Sequence, residues 1–253
     1  MAQENFYTNI YPDIIDQWKF YIEKLDLKKG DKVLDIGCNS GDAERLMVNC
    51  SPQIEKVVGI DINKDKITEA RNKIETSFQR NKIEFKTMDA NNIKYENCYF
   101  DKIICAETIE WIEEPLKVLS EVKRVLKPNG IFILEHTDFD TQVFTTNRLD
   151  LTREIINKFS DIGPNGIIGR KLLGLCNKAG FEKVEPLIYT VINEKLNKSY
   201  YSYQIANMMK EWLIDQELIE EKKINDWLND MKKIDEKGEF FYSINRNIVV
   251  CYK

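Results

Sequence analysis

Histidine is almost missing from this chain: there is one, His136, in 253 residues. Cysteine is present but scattered, at positions 38, 50, 98, 105, 176 and 251, and no C-x-x-C pair occurs. Together these exclude a structural zinc site of the familiar spacings, and no metal is expected. Long hydrophobic runs are absent too, so nothing approaches the ~20 apolar residues of a membrane-spanning helix. The opening stretch, MAQENFYTNIYPDI, has neither a basic start nor an apolar run, and no signal peptide is expected. Basic charge is not in excess: 37 Lys and Arg face 42 Asp and Glu, with both signs mixed along the chain. That balance argues against a nucleic-acid partner. No internal repeat or low-complexity segment appears. The expectation is a cytoplasmic protein with reduced cysteines, of which Cys105 and Cys251 sit in apolar strand patterns as small buried hydrophobes.

What is present suits an ordinary globular protein: 43% hydrophobic and 31% charged residues, enough chain for one domain with an insertion or small cap. Apolar periodicity predicts helices over 12–27, 42–50, 63–79 and 114–126, alternating with strands at 32–36, 56–61, 83–87, 100–106 and 131–135. The breaker Lys127-Pro128-Asn129-Gly130 precedes the fifth strand. Such β-α alternation with short links implies a doubly wound, Rossmann-like parallel sheet. Residues 137–166 break the rhythm, with a helix near 149–159 and a Gly/Pro/Asn-rich loop after it. A helix at 167–179, a strand at 181–192, two amphipathic helices at 199–214 and 216–236 and a last strand at 240–251 complete the chain. The expected organisation is a helical cap over 1–29 and one domain over 30–253. Insertions at about 137–166 and 195–238 would form a lid.

The chemistry is concentrated at the ends of the first three strands. Val33-Leu34-Asp35-Ile36 is a short buried strand ending in the turn Gly37-Cys38-Asn39-Ser40-Gly41, and a helix follows. Glycine in such a corner lets a ligand approach the backbone. Twenty residues on, the second strand ends in Asp61, followed by Ile62; an acid there can hold two ribose hydroxyls. A nucleoside-bearing cofactor at the carboxyl edge of the sheet follows. The dinucleotide fingerprint needs G-x-G-x-x-G, whereas this turn reads Asp35-x-Gly37-x-Asn39-x-Gly41.

That spacing resembles the D-x-G-x-G-x-G signature of class I S-adenosylmethionine-dependent methyltransferases. Asn39 replaces the middle glycine, and Asn is among the few residues that tolerate positive φ. The resemblance covers residues 30–135 and, through a G-R-x-L…A-G-F pattern, 165–190. It extends to Asp89-Ala90 after the third strand and to Glu107 after the fourth. Trp111-Ile112-Glu113-Glu114-Pro115 and Leu126-Lys127-Pro128-Asn129-Gly130 are similar to the small-molecule branch (type 11, ubiquinone-biosynthesis-like). That branch commonly has histidine where Trp111 stands. The family's plan implies a seven-stranded sheet with the last strand antiparallel, here preceded by a helical insertion. It implies S-adenosyl-L-methionine as cofactor, held by Asp35, Gly37, Cys38, Asn39, Gly41, Asp61, Ile62, Asp89, Ala90 and Glu107, with S-adenosyl-L-homocysteine as product.

For catalysis, His136 at the carboxyl edge is the candidate base, with Asp138 or Glu135 orienting its ring. A strand-capping polar residue is the competing account of His136. Candidate substrate contacts are Tyr11, Trp111, Arg148 and Tyr201, the last in an aromatic and methionine cluster with Met208, Met209 and Trp212. The expected partner is a small-molecule acceptor methylated at N, O or C, the chain being a monomer or homodimer. A thiophilic metalloid acceptor would call for a compact cysteine cluster, and none is visible. Three readings compete: a nicotinamide-dependent oxidoreductase, a non-catalytic methyltransferase-like binding protein, and a protein or RNA methyltransferase.

Overall fold

The computed structural model describes residues 12–75, 78–162 and 165–253, together with all side chains in those ranges except that of Phe78. Tyr11 lies outside the described residues. Helix α1 (Pro12–Leu25) leads into β1 (Lys32–Ile36), α2 (Asp42–Cys50), β2 (Lys56–Asp61), α3 (Lys64–Ile74), β3 (Ile83–Thr87) and β4 (Phe100–Ala106). Local chemistry sets these boundaries. The Asn63 side chain accepts from the Asp65 and Lys66 N–H groups and so caps α3. Pro115 opens α4 (Pro115–Val125), where its missing N–H costs nothing. The third helix is shorter than its periodicity predicts: it stops at Ile74, and a separate 3₁₀ turn follows at Phe78–Asn81.

The fifth strand departs most from expectation. β5 runs 19 residues, Leu126–Phe144, so residues 137–144 are strand and not the start of a helical insertion. The reason is its partner. β7 (Tyr242–Tyr252) is long enough to pair antiparallel along both halves of β5, from Ile131 opposite Tyr252 to Phe144 opposite Tyr242, with a register shift between Asp138 and Val143. β6 (Lys183–Asn193) pairs with the far edge of β7, also antiparallel. The sheet order is β3-β2-β1-β4-β5-β7-β6, with the first five strands parallel to one another and the last strand of the chain antiparallel to its neighbours.

Three apolar clusters hold this arrangement together. One, on one face of the sheet, joins α4 and α6 (Leu172–Lys178) through residues such as Leu119, Val122, Phe132 and Cys176. A second covers the other face with α1, α2 and α3. Tyr21, Ile22 and Leu25 of α1 belong to it, so the described part of the N-terminal segment packs into the core. The third joins α5 (Leu149–Ser160), α7 (Tyr201–Asp215) and α8 (Glu221–Asp235) to the outer ends of β5 and β7. Trp227, fully buried at its centre, donates its indole N–H to Thr152 Oγ1 at 3.0 Å. This third cluster stands at the carboxyl edge of the parallel strands, which is where the β1 turn opens. Among the described residues, no helix is long and apolar enough to cross a membrane.

Candidate functional site

The β1 turn is held open by backbone conformation. Gly37 has φ 81° and Gly41 φ 80°, and a Cβ on either would collide with Thr108 or Phe85 respectively. Asn39 adopts φ 47°, the left-handed region that Asn tolerates. The turn is tied to the end of β2: Gly37 and Cys38 N–H groups donate to the Ile60 carbonyl at 2.8 and 3.0 Å. Asp61 accepts from the Asn39 N–H at 2.9 Å and from the Asn63 N–H at 2.8 Å. The Met88 N–H reaches the Asp61 carbonyl at 2.9 Å, so the ends of β2 and β3 are locked together. Ile62 is 75% exposed, an apolar side chain left facing solvent beside this acid. Asp89 is exposed at the end of β3 and accepts from the Asn91 N–H at 2.8 Å, with Ala90 half-buried after it.

Beneath the turn, Asp35 is 3% exposed and packs beside the fully buried Glu44. Burial pushes Asp35 up to about 7, against a lowering contact with Glu44, and the Asp61 charge adds to the rise. Glu44 is also held well above the usual carboxyl range, first by burial and then by Asp35. Two carboxyls so placed cannot both ionise without large cost.

A cavity of about 830 Å³ opens from this turn. Asp35, Gly37, Cys38 and Asn39 line one end, and Glu107, Glu110, Trp111 and Arg246 line another part of the wall. Trp18, Phe139, Phe159, Tyr201, Met208 and Trp212, drawn from α1, β5, α5 and α7, supply apolar surface. Gly41, Asp61, Ile62, Asp89 and Ala90 lie along the strand edge outside the cavity lining. Arg148 immediately precedes α5, faces Asp226 at 4.0 Å and is outside the cavity lining. Met209 is fully buried in the third cluster, while its neighbour Met208 reaches the cavity.

Arg246, on β7, is the side chain that organises the cavity floor, and its sequence context gave no warning of it. It is 2% exposed. Its guanidinium donates to Gln17 Oε1 at 2.9 Å and to Glu107 Oε1 at 2.7 Å, and stacks 4.5 Å from the Tyr201 ring centroid. Burial alone would lower its pKa, but Tyr201, Glu107 and Glu135 hold the charged form in place. The Thr137 hydroxyl also donates to Glu107 Oε1. Glu107 therefore sits at a junction of β4, β5 and β7, in a left-handed backbone conformation of φ 49°.

His136 is on β5 and 0% exposed. Burial lowers its pKa, which favours the neutral ring. The expected orienting acids do not orient it. Successive strand residues point to opposite faces, so Glu135 belongs with Tyr21 and Arg246 on the other side. Asp138 shares the face of His136, but Arg170 takes both of its oxygens, at 2.8 and 2.9 Å. His136 itself does not line the cavity; Glu110 does, with a carboxyl oxygen 4.0 Å from His136 Nε2. Burial, then the Glu107 charge, pushes Glu110 up to about 8. Sequence reasoning missed Glu110, Arg246, Gln17, Phe139 and Phe159. The one readable signal was Glu107-x-x-Glu110, two acids one turn apart after a strand end.

An α/β sheet with an antiparallel last strand and a glycine turn facing an acid on β2 defines a Rossmann-like fold of the methyltransferase type. Residues 27–163 match the methyltransferase-domain family, more than half of the chain, and the chain belongs to that family. It is 31% identical over 118 residues to the demethylmenaquinone methyltransferase of Lactobacillus johnsonii, covering 46% of this chain and 48% of that protein. The chain spans about half the length of the curated relatives it matches. Its fold is similar to that of the Bacillus subtilis YcgJ protein, with a TM-score of 0.63 at 16% identity over 94% of this chain and 98% of that one. It is also similar to phosphoethanolamine N-methyltransferase 2 of Haemonchus contortus, solved with phosphomonomethylethanolamine and S-adenosylhomocysteine. There the TM-score is 0.58 at 15% identity, over 94% of this chain and 52% of that one.

Proposed function

We propose that this protein transfers a methyl group from S-adenosyl-L-methionine to an N, O or C atom of a small-molecule acceptor. The observation that carries the reading is the β1 turn. Its two glycines are positions a Cβ would fill, it is joined to Asp61 through the Asn39 N–H, and it opens into the cavity. The residues fit the cofactor: Asp61 for ribose hydroxyls, Ile62 and Asp89-Ala90 beside it for the base, Asp35 to Asn39 and Glu107 nearer the cavity. When bound, the cofactor supplies an activated methyl on sulfonium.

The chain's own contribution is placement and exclusion of water. The aromatic side chains of α1, α5 and α7 surround the acceptor side of the cavity with apolar surface. Holding two reactants in line in such a space can be worth roughly 7–11 kcal/mol of the barrier. A protonated acceptor needs a proton acceptor as well, worth on the order of 10²–10⁴-fold. Glu110, which faces the cavity, suits that role better than His136, which does not. His136 and Asp138 then stand behind the site, Tyr201 and Trp111 against the acceptor. The protein works in the cytoplasm on a small metabolite, without a nucleic-acid or membrane partner.

The test is incubation with methyl-labelled S-adenosylmethionine and a small-metabolite extract. Label in a dialysable product supports the reading. Label confined to protein or RNA favours a macromolecular acceptor and overturns the small-molecule assignment.

A further inference from the structure

Glu107 follows β4, the 3₁₀ turn Ile109–Trp111 carries Glu110 back towards it, and His136 faces both from β5. One ligand atom from each of the three lies within 4.8 Å of the other two. The grouping is not merely acidic. His136 is 0% exposed, and among the described residues neither ring nitrogen has a hydrogen-bond partner; Glu110 Oε2 has none there either. Buried polar atoms are ordinarily paired, so these three unpaired atoms in one cluster call for a missing partner. The two residues cannot serve each other, because 4.0 Å is too long for a hydrogen bond. It is, however, close to the ~3–3.5 Å that separates two ligands each about 2.0–2.2 Å from one metal ion.

We propose that Glu107, Glu110 and His136 form a site for a divalent first-row cation in the wall of the cavity. Two carboxylate oxygens and one imidazole nitrogen suit Mn²⁺, Fe²⁺ or Zn²⁺, and not Ca²⁺, which takes oxygen alone, or Cu⁺, which prefers sulfur. Arg246 and Thr137 both donate to Glu107 Oε1, which orients that carboxylate and leaves Oε2 outside both bonds. Such outer partners are how proteins aim metal ligands. Glu107 and Glu110 line the cavity and His136 lies behind them, so three protein ligands leave the cavity side of the ion for an oxygen-bearing acceptor. The existence of the cation site is independent of the methyl-transfer reading; its use to hold a hydroxyl or carboxylate acceptor rests on that reading, and with the ion bound Glu110 serves as its ligand and not as the proton acceptor.

The full chain, stripped with a chelator and dialysed, is titrated with Mn²⁺, and the free-ion signal is followed by electron paramagnetic resonance. S-adenosylhomocysteine binding is measured on the same samples. The expected result is one equivalent of saturable Mn²⁺ uptake. Glu110→Gln and His136→Gln should each weaken it by at least about tenfold, the loss that follows removal of even an outer metal partner. Retained S-adenosylhomocysteine binding in either variant shows that its fold and cofactor edge survive. Absence of saturable uptake by the parent chain overturns the site. So does equal uptake by the parent and both variants. Mn²⁺ uptake without S-adenosylhomocysteine binding by the parent would count against the cofactor reading and leave the cation site standing.

Discussion

Asp61 does two jobs with one carboxylate. It accepts from the Asn39 and Asn63 N–H groups and so fixes the turn against β2, and it is the acid that the proposed cofactor's ribose requires. Asp61→Ala removes both, and S-adenosylhomocysteine affinity measured by calorimetry should fall by about 10- to 100-fold, roughly 1.4–3 kcal/mol. Unchanged affinity would remove Asp61 from the site. The buried pair Asp35 and Glu44 makes a prediction in pH. Both carboxyls are raised in the folded state, Asp35 to about 7, so this pair binds more protons in the folded than in the unfolded chain above roughly pH 4. The pair's contribution to stability therefore falls as pH rises from about 4 through the raised pKa values and stays lowered above them. Glu44→Gln should raise the melting temperature at pH 8 by about 2–6 °C, with the gain shrinking towards pH 4. A gain independent of pH would contradict the buried-carboxyl account. At this scale the residues of the proposed cofactor edge stood out in the sequence, because strand-end acids and turn glycines declare themselves by spacing. Arg246 did not, since a charge flanked by Asn245 and Asn247 reads equally well as a solvated position. Glu110 was hidden because its partner, His136, is 26 residues away and meets it only through the pairing of β4 with β5.

Among the elements, β1 to β4 fell where the short apolar runs put them, since buried parallel strands are near-continuous apolar runs bounded by turns. β5 did not. Its outer half, Thr137-Asp138-Phe139-Asp140-Thr141-Gln142-Val143-Phe144, carries enough polar residues to read as a loop, and only β7 alongside makes it strand. That half is secured from outside: Arg170 spans Asp138 and Asp140, and Asn247 Nδ2 reaches Asp138 at 3.4 Å. Asp138 is 3% exposed whereas the Arg170 side chain is 47% exposed, so the pair is partly screened by water. Arg170→Met should cost about 1–3 kcal/mol, the penalty of leaving a buried acceptor poorly paired, read as a lower urea midpoint at unchanged slope. A midpoint matching the parent would show that Asp138 does not depend on Arg170.

In the whole molecule, the third apolar cluster is what turns a strand edge into an enclosed site. It ties α5, α7 and α8 to the ends of β5 and β7, and through Phe159, Met208 and Trp212 it forms part of the cavity wall. Trp227→Ala, at the cluster's centre and far from the turn, should cost about 3–5 kcal/mol in global stability. It should also weaken acceptor turnover more than S-adenosylhomocysteine binding, because the proposed cofactor edge is built on β1 to β3. Equal losses in both would mean that the cluster and the cofactor edge fold as one unit. The central claim is that the turn and Asp61 take S-adenosylmethionine and not a dinucleotide. The most direct measurement is calorimetric titration of one preparation with S-adenosylhomocysteine and, in parallel, with NADH. The account predicts saturable binding of the first and none of the second; binding of NADH alone would contradict it.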